Sequence, residues 1–358
     1  MLSIKINSKQ LRKAYIDFIY SLYENDSNFV DTSLFIVNTF LDKSDSFIKE
    51  CGVEPMAIVD DDKILAQCMY IYHKDLPYFQ IGFFEALPNQ EKAVDMLLTE
   101  AAIQAKNLGL YKMVIGLNGH VSYGVGILID SFDKKISFDS LYNKSYYKDY
   151  FEKYKFEKQS LSTYYFDMCN IPDKLKCIDK IYKRISFRTM DMKRFKDEMI
   201  LFGTLCNTCL HDTYLYFNRD PLCLYELIND MKPFLKPENL IFAMKDEKEI
   251  GFVFWHPDYN EILRGGKRNS MLKIGIDYYL NKNKIKTLKV NAIGVIPKYQ
   301  KTGTAMGLIN EVYKYSRKQF LYGETNFVWD NNTRSRLLNL AINDRDDRHY
   351  CVYIKEIQ

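Results

Sequence analysis

The sequence predicts an α/β protein made of two similar units, each a twisted, mixed, mainly antiparallel sheet flanked by helices. The prediction rests on an order of segments that occurs twice. In each half a helical stretch precedes two strands joined by an acidic turn, at 59–63 and at 245–249. An apolar strand running into a helix comes next, and a further strand, a helix and an aromatic-rich strand end each half.

The helices that follow the two apolar strands show the clearest periodicity. Their apolar residues recur three and four positions apart, so they share one face of a helix that can pack on a sheet. These residues are Val94, Leu97, Leu98 and Ala101 in the first half, and Met306, Ile309, Val312 and Tyr313 in the second.

The length of 358 residues suits two domains. A strand-like run ends shortly before Pro172, a charged amphipathic stretch follows, and a new alternating strand begins at Ile185. We therefore predict a first domain over 1–168, a linker over 169–184 and a second domain over 185–358.

The composition argues against several classes of protein. The hydrophobic fraction of 47% is that of a folded globular chain. A net charge of +4, with acidic and basic residues interleaved, offers no broad field for nucleic acid or anionic lipid. We expect no secretory signal in the charged first residues, and we expect the stretch 113–129 to be too polar to span a bilayer. We expect neither a nucleic-acid nor a membrane partner.

The eight cysteines are scattered through a chain that needs no disulfides, which fits a reducing cytoplasm. Cys206 and Cys209 form a CxxC inside a helical run, but no second pair lies at zinc spacing. We interpret both as core thiols, and we expect no metal site.

The segment GVIPKYQKTGTA, 294–305, joins the second apolar strand to its helix and contains the spacing Q-x-x-G-x-A. Gly303 tolerates a positive φ, so successive main-chain N–H groups can converge at the helix start, where the helix dipole also favours an anion. Small residues at Thr304 and Ala305 would let a pyrophosphate approach the backbone. A plain turn or cap would use the same residues. The segment lacks GxGxxG and GxxxxGK[ST], which disfavours a dinucleotide fold and a P-loop.

In its context this turn resembles the acetyl-CoA site of the GNAT acyltransferase superfamily. The resemblance rests on the strand ending in GVIP, the turn, the amphipathic helix, the next strand, and Asn332 opening the last helix. The second half is similar to one GNAT domain from about 185 to 357. The first half is similar to a degenerate copy, and its stretch 116–159 resembles one found in bacterial tandem-GNAT proteins.

The resemblance implies an acyl-CoA co-substrate, with acetyl-CoA the expected one. Main-chain groups of Ile293 and Val295 would pair with the pantetheine amides, and the Val295 N–H would polarise the thioester carbonyl. Asn332 would hydrogen-bond the pantetheine arm. The pyrophosphate would be held by the turn, which consists of Gln300, Lys301, Thr302, Gly303, Thr304 and Ala305.

The first half departs from this pattern. Aligning its FFEALPNQEKAV with GVIPKYQKTGTA sets Asn89 at the glutamine position, Lys92 against Gly303, and Val94 against Ala305. A β-branched residue and the lack of a glycine leave little room for a phosphate. We expect that the first copy does not bind CoA in the usual way.

Direct attack of an amine on a thioester requires a base for the ammonium proton and an acid for the leaving thiolate. Glu324, opening a central strand, is the first candidate for the base, and Asp258, following a strand that should border the acceptor cleft, is the second. Each is equally explained as a solvated turn residue. Histidine side chains can transfer protons near neutral pH, so His211 and His256 are further candidates. Neither shows a partner in the sequence, and a structural histidine is the alternative for both.

The acid is harder to assign. The family resemblance implies a tyrosine in a pattern like N-x-x-A-x-x-L-Y on the last helix, and Asn339 takes that position here. Tyr353, and Tyr350 beside it on the final strand, are the substitutes, with a core role as the alternative for both.

Two functions stay open. One is an acyl-CoA-dependent N-acyltransferase that uses a small amine or amino-acid-like acceptor, with its chemistry in the second domain. The other is an acyl-CoA-binding protein without transfer activity. A tandem-GNAT aminoacyl transferase that uses charged tRNA is disfavoured, because phosphate contacts require clustered Lys and Arg.

Overall fold

The structure is a computed structural model that describes residues 1–169, 175, 182–342 and 345–357. The chain divides into two compact units. Unit 1 comprises Met1–Leu161, Leu263–Ile274 and Arg348–Gln358, and unit 2 comprises Ser162–Ile262 and Gly275–Asp347. The division of the sequence at 169–184 stays a prediction, since most of that stretch lies outside the described residues. None of the described helices is both long and apolar enough to cross a membrane.

The described helices are α1 (Lys9–Leu22), α2 (Leu34–Asp42), α3 (Ser46–Glu50), α4 (Glu91–Asn107), α5 (Tyr147–Glu152), α6 (Phe195–Leu210), α7 (Leu222–Ile228), α8 (Met271–Asn281), α9 (Thr304–Ser316) and α10 (Thr333–Ile342). The strands are β1 (Leu2–Lys5), β2 (Gly52–Asp60), β3 (Lys63–Tyr72), β4 (Phe79–Ala86), β5 (Lys112–Ile115), β6 (Ile127–Leu128), β7 (Glu157–Asp167), β8 (Ser186–Thr189), β9 (Leu240–Lys245), β10 (Lys248–Pro257), β11 (Thr287–Val295), β12 (Tyr322–Thr325), β13 (Val328–Trp329) and β14 (Arg345–Glu356).

Both acidic turns predicted from the sequence are two-residue hairpin turns. Asp61 and Asp62 join β2 to β3 with φ of 44° and 63°, and Asp246 and Glu247 join β9 to β10 with φ of 50° and 61°. Two successive positive φ angles define the turn whose twist matches that of the paired strands. The repeated hairpin therefore begins the sheet of each unit in the same way.

The strands of each unit have the same arrangement. In unit 1 the order is β1-β2-β3-β4-β5-β14, and in unit 2 it is β8-β9-β10-β11-β12-β7. Neighbours are antiparallel except for the central parallel pairs, β4 with β5 and β11 with β12. This is a mixed, mainly antiparallel sheet in each unit, which confirms the predicted fold class.

The last strand of each sheet comes from the other half of the sequence. In unit 2, Tyr165 to Asp167 of β7 pair with β12. In unit 1, Tyr353 to Glu356 of β14 pair with β5. A division of the sequence into two consecutive halves does not show that these last strands are exchanged between the units.

The helices cover the sheets as their periodicity predicts. Val94, Leu97 and Ala101 of α4 are fully buried in the core of unit 1. In unit 2, Val312 of α9 is buried. The ring of Phe202 in α6 lies with its centroid 4.8 Å from that of Phe252 in β10.

Candidate functional site

Strands β11 and β12 of unit 2 separate partway along their length. They pair from Thr287 to Val290, and the last hydrogen bond runs from the Asn326 N–H to the Val290 carbonyl at 2.8 Å. Beyond Val290, β11 continues to Val295 while β12 has ended. We call residues 291–295 of β11, which pair with no described strand on the β12 side, the open edge.

A β-bulge determines which main-chain groups face the open edge. Trp255 of β10 pairs with Val290 and Phe254 pairs with Ala292, so Asn291 is an extra residue on β11. Main-chain groups of successive residues point to opposite sides of a strand, and the Ile296 N–H bonds to β10. It follows that the N–H and C=O groups of Ile293 and Val295 point away from β10, toward the open edge.

The turn after the open edge has the predicted glycine conformation. Gly303 has a φ of +83° and is the N-cap of α9. Within the described residues, the N–H groups of Gly303, Thr304 and Ala305 have no hydrogen-bond acceptor. The N–H of Thr302, in contrast, bonds to the Tyr299 carbonyl at 3.2 Å. Three adjacent donors at a helix N-terminus form a ready anion site.

Two threonine hydroxyl groups form hydrogen bonds within this turn. The Thr302 hydroxyl lies 2.7 Å from the Tyr299 carbonyl and 2.7 Å from the Thr304 hydroxyl. Thr304 is fully buried, while Lys301 is exposed at the rim. The turn is therefore held in shape by its own side chains, and its free N–H groups are fixed before any ligand arrives.

Gln300 connects the open edge to the last helix. Its Nε2 donates to the Val295 carbonyl at 3.3 Å, and its Oε1 accepts from Arg334 near the start of α10. Asn332 caps the same helix, because its Oδ1 accepts from the Ser335 N–H at 3.1 Å. The structure thus brings together the predicted cofactor residues of β11, the turn and the start of α10. It also shows that the Asn332 oxygen already has a structural partner.

Glu324 lies in a row of buried titratable side chains. It pairs in register with Lys289 of β11, and Lys289 pairs with His256 of β10. Residues in register share one face of a sheet, and the exposed fractions of the three are 4%, 0% and 1%. The row therefore places the Lys289 ammonium next to the Glu324 carboxylate in the register of the sheet. Buried charges are normally compensated by an opposite charge in this way.

His256 is held neutral within this row. Burial lowers its pKa to about 4, and the nearby Lys289 ammonium acts in the same direction. Its Nδ1 lies 3.0 Å from the Pro257 carbonyl, which can only accept, so Nδ1 carries the proton. A neutral ring at this position offers no charge to a substrate at neutral pH.

Asp258 belongs to a turn at the far end of β11. Its carboxylate accepts from the Asn260 N–H at 3.1 Å, and its own N–H donates to the Thr287 carbonyl at 2.9 Å. Thr287 begins β11 and Val295 ends it, so the turn is about 26 Å from the end of the open edge. Glu324 is the nearer of the two carboxylates, since its partner Lys289 directly precedes Val290.

The residues considered for the role of the acid lie in different parts of the structure. Tyr353 belongs to unit 1, where it is fully buried, with its ring centroid 5.2 Å from that of Phe151. Burial raises the pKa of the Tyr353 hydroxyl. Asn339, in the tyrosine position of α10, is buried and donates to the Ser335 carbonyl at 2.9 Å. The open edge and Tyr353 are therefore parts of different units.

Unit 1 has a shorter turn at the corresponding place. Four residues, 87–90, lie between β4 and α4, whereas eight residues, 296–303, lie between β11 and α9. Gln90, not Lys92, is consequently the N-cap opposite Gly303. The alignment predicted from sequence was wrong at this point, because it assumed turns of equal length.

Tyrosine hydroxyls satisfy the main chain at this place in unit 1. The Tyr147 hydroxyl accepts from the Ala86 N–H at 2.8 Å, and the Tyr146 hydroxyl donates to the Ala86 carbonyl at 2.7 Å. The Tyr150 hydroxyl donates to the Leu87 carbonyl and accepts from the N–H of the α4 N-cap at 2.9 Å. The N–H of Gln90, which corresponds to the free N–H of Gly303, is thus already bonded in unit 1. The repeated Tyr pattern of α5 did not reveal this role in the sequence.

The edge of β4 in unit 1 is also filled. Phe83 has a φ of +49°, and its N–H donates to the Asn118 side-chain oxygen at 2.9 Å. Asn118 is buried. A Cβ atom on Gly82 would lie 2.9 Å from the Leu117 carbonyl oxygen, so the two chain segments are in close contact. Among the described residues, 117 and 118 therefore occupy this edge of β4 in unit 1.

A carboxyl group of unusual pKa lies next to the tyrosines. The Glu85 carboxylate accepts from Tyr23 at 2.8 Å and from Tyr147 at 2.6 Å. Burial raises its pKa from 4.5 to about 7, although both hydroxyls and the Lys144 ammonium oppose the shift. Glu85 was not identified from the sequence, because its tyrosine partners are 62 residues away on either side.

These features are those of a tandem GNAT fold. The chain matches a tandem GNAT protein from the clavulanic acid biosynthesis pathway, solved without AcCoA, over 99% of this chain and 97% of that one, with a TM-score of 0.54 and 7% identity. It matches a GNAT-family acetyltransferase from Colwellia psychrerythraea over 100% of both chains, with a TM-score of 0.51 and 10% identity. At these identities the likeness establishes the fold, and it confirms the resemblance inferred from the sequence.

One curated protein extends the comparison to sequence. The chain is 22% identical to Protein YghO of Escherichia coli (strain K12) over 368 aligned positions, which cover 96% of this chain and 93% of that protein. No protein-family model matches the chain.

Proposed function

We propose that the chain is an acyl-CoA-dependent N-acyltransferase whose co-substrate, acetyl-CoA first among them, binds to unit 2. The acceptor is a small amine or an amino-acid-like compound. The observation that carries the proposal is the combination of the open edge with the three free N–H groups of Gly303, Thr304 and Ala305. Either feature alone occurs in many proteins, whereas together they match a ligand with an amide-bearing arm and a pyrophosphate.

The residues present fit such a ligand. The main-chain groups of Ile293 and Val295 are placed to pair with an extended amide chain, as a neighbouring strand would. The N–H groups of the turn and the rim ammonium of Lys301 complement a pyrophosphate. The exposure of the β11 residues supports this, because residues 290–293 are only partly buried although β11 lies between β10 and β12 in the sheet.

A CoA thioester supplies an acyl carbon that an amine can attack directly, with the thiolate as the leaving group. The protein has to remove a proton from the ammonium form of the acceptor, and Glu324 is our first choice for this base, acting through water because it is buried. Lys289, its partner in register on β11, would help to position the carboxylate. The N–H of Val295 or of Ile293 would donate to the oxygen on which negative charge develops.

A second function is favoured by one specific observation. The position expected for a thiolate-protonating tyrosine on α10 is Asn339, whose side chain bonds back to its own helix. A unit 2 that lacks this acid would bind acyl-CoA without transferring its acyl group. The alternative is thus an acyl-CoA-binding protein, and it shares the cofactor site with the first proposal.

The cofactor site is tested by calorimetric titration of the full chain with acetyl-CoA. The Gly303→Val variant forces a β-branched residue into a left-handed conformation, which costs about 1–2 kcal/mol and misaligns the free N–H groups. We expect a loss of affinity of at least about 100-fold, equal to about 2.7 kcal/mol.

A matched control separates this loss from general destabilisation. Gly109 has a φ of +71° and open space around it, so Gly109→Val imposes similar strain away from the turn. We expect Gly109→Val to bind acetyl-CoA like the parent. If the parent fails to bind at millimolar ligand, or if both variants lose binding equally, the proposed site is wrong.

Transfer is tested separately by thiol release from acetyl-CoA in the presence of a panel of amines. Release that depends on the amine, and that Glu324→Gln lowers by about 100-fold or more, supports the acyltransferase. Tight binding of acetyl-CoA with no amine-dependent release supports the binding protein instead.

A further inference from the structure

Helix α8 exposes an apolar face. Four of its large hydrophobic side chains have exposed fractions of 50% or more: Leu272 at 76%, Ile276 at 50%, Tyr279 at 76% and Leu280 at 69%. Large apolar side chains in a folded protein are normally exposed singly. Four exposed apolar side chains on one short helix are therefore unusual.

The spacing of these residues places them in one stripe. At about 100° per residue, positions 272, 276, 279 and 280 fall within an arc of about 100°. The opposite side of the helix is the one that packs. Ile274 is 9% exposed, and the ring of Tyr278 has its centroid 5.3 Å from that of Phe234. The helix thus has one apolar face turned inward and a second turned to solvent.

The segment around α8 is strongly basic. Residues 264–286 contain seven basic side chains and one acidic one, Asp277, so their net charge is +6, whereas the whole chain has +4. The rest of the chain is therefore net negative by 2. The seven are Arg264, Lys267, Arg268, Lys273, Lys282, Lys284 and Lys286.

Most of these cations are available to a partner. Arg268 is bound to Asp17 at 2.6 Å, and Lys273 lies 3.3 Å from the Asn269 side-chain oxygen. The remaining five are exposed, and they lie before and after α8 in the sequence. Positive charge therefore flanks the apolar stripe on both sides along the chain.

We propose that α8 and its basic flanks bind the surface of an anionic lipid bilayer. An amphipathic helix with an apolar stripe and flanking lysines lies in the interface, with the stripe in the acyl boundary and the cations at the headgroups. Tyrosine is favoured at that depth, and lysine stems reach outward to the phosphates. The 11 residues of α8 span about 16 Å, so the helix lies on the bilayer and does not cross it.

Charge distinguishes this occupant from the others. A second copy of the chain would bring a +6 segment against a +6 segment, which is unfavourable. A nucleic acid would neutralise the cations but leave the apolar stripe in water. An anionic lipid surface complements both features. The proposal differs from the expectation that we drew from the net charge of the whole chain, because that value adds the +6 of this segment to the −2 of all other residues.

The proposal is tested by co-sedimentation of the full chain with vesicles. One set is phosphatidylcholine alone, and the other contains about one third phosphatidylglycerol. We expect binding to the anionic vesicles to be at least about tenfold tighter, and to weaken as salt is raised. A variant with Ile276→Ser and Leu280→Ser, both at exposed positions, should bind the anionic vesicles at least about tenfold more weakly.

Two further variants sharpen the test. Removing charge with Lys282→Ser, Lys284→Ser and Lys286→Ser should also weaken binding by at least about tenfold. The control variant carries Ile103→Ser and Leu337→Ser, which are exposed by 55% and 62% on other helices, and should bind like the parent.

The proposal is overturned if the parent does not sediment with anionic vesicles. It is equally overturned if the control loses as much binding as the α8 variant, or if both vesicle sets bind alike. Concentration-dependent self-association without lipid, abolished by the Ile276→Ser and Leu280→Ser variant, would show that a second copy covers the face instead. Thermal unfolding of each variant confirms that it is folded.

Discussion

Protonation of Glu85 should make the stability of the protein depend on pH. The pKa of this carboxyl is raised to about 7 in the folded chain, from a reference of 4.5, because it is buried beside Tyr23 and Tyr147. The folded state therefore holds its proton more tightly than the unfolded state does. Stability from this source is fully present below about pH 4.5 and is lost as the pH rises through about 7.

The magnitude follows from the size of the shift. A change of about 2.5 pKa units corresponds to about 3 kcal/mol if the group were wholly shielded. The residue as a whole retains partial contact with solvent, so we expect about half of that value. Glu85→Gln keeps an oxygen that can accept from both hydroxyls but cannot lose a proton, and it should remove this dependence.

The assay compares the free energies of unfolding of the parent and of Glu85→Gln in urea, at about pH 4.5 and about pH 8. Relative to the variant, the parent should lose about 1.5 kcal/mol between the two values. Tyr147→Phe deletes a hydroxyl that lowers the pKa of Glu85, so it should shift the transition to higher pH. A parent–variant difference that stays constant over the range, within about 0.5 kcal/mol, would refute the assignment.

Three other substitutions have expected outcomes. Tyr150→Phe leaves the Gln90 N–H without its acceptor, so it should destabilise the fold by about 1–2 kcal/mol in urea melts while acetyl-CoA binding is unchanged. Asn332→Ala removes the cap of α10 and should lower the free energy of unfolding by about 1 kcal/mol. An unchanged free energy of unfolding would contradict the capping geometry. Gly294→Ala puts a Cβ atom 2.6 Å from the Phe252 ring, and it should cost about 1–3 kcal/mol and weaken acetyl-CoA binding by distorting the open edge.

The periodic parts of the fold were predictable because they are local. The two acidic turns and the stripes of α4 and α9 depend on residues within a few positions of each other, and the structure has them where the pattern indicated. The positive φ of Gly303 was predictable for the same reason, since only the turn itself requires it.

The parts that escaped prediction depend on distant residues or on chain length. The turn before α4 is four residues shorter than the one before α9. An alignment of the two segments by residue type, without gaps, cannot detect such a deletion. Tyr353 falls in unit 1 because the last strands of the sheets are exchanged between the sequence halves. The main-chain contacts of Tyr147 and Tyr150 join positions about 60 apart, and an aromatic-rich segment alone does not show what its hydroxyls bond to.

Hydrogen exchange tests most directly whether acyl-CoA binds to unit 2 and not to unit 1. Peptides covering 291–305 should become protected when acetyl-CoA is added, since the free N–H groups of Gly303, Thr304 and Ala305 gain acceptors. Peptides covering 83–91 should exchange at the same rate with and without acetyl-CoA, because tyrosine hydroxyls already bond that main chain. Protection of 83–91, or no protection of 291–305 at saturating acetyl-CoA, would contradict the proposed site.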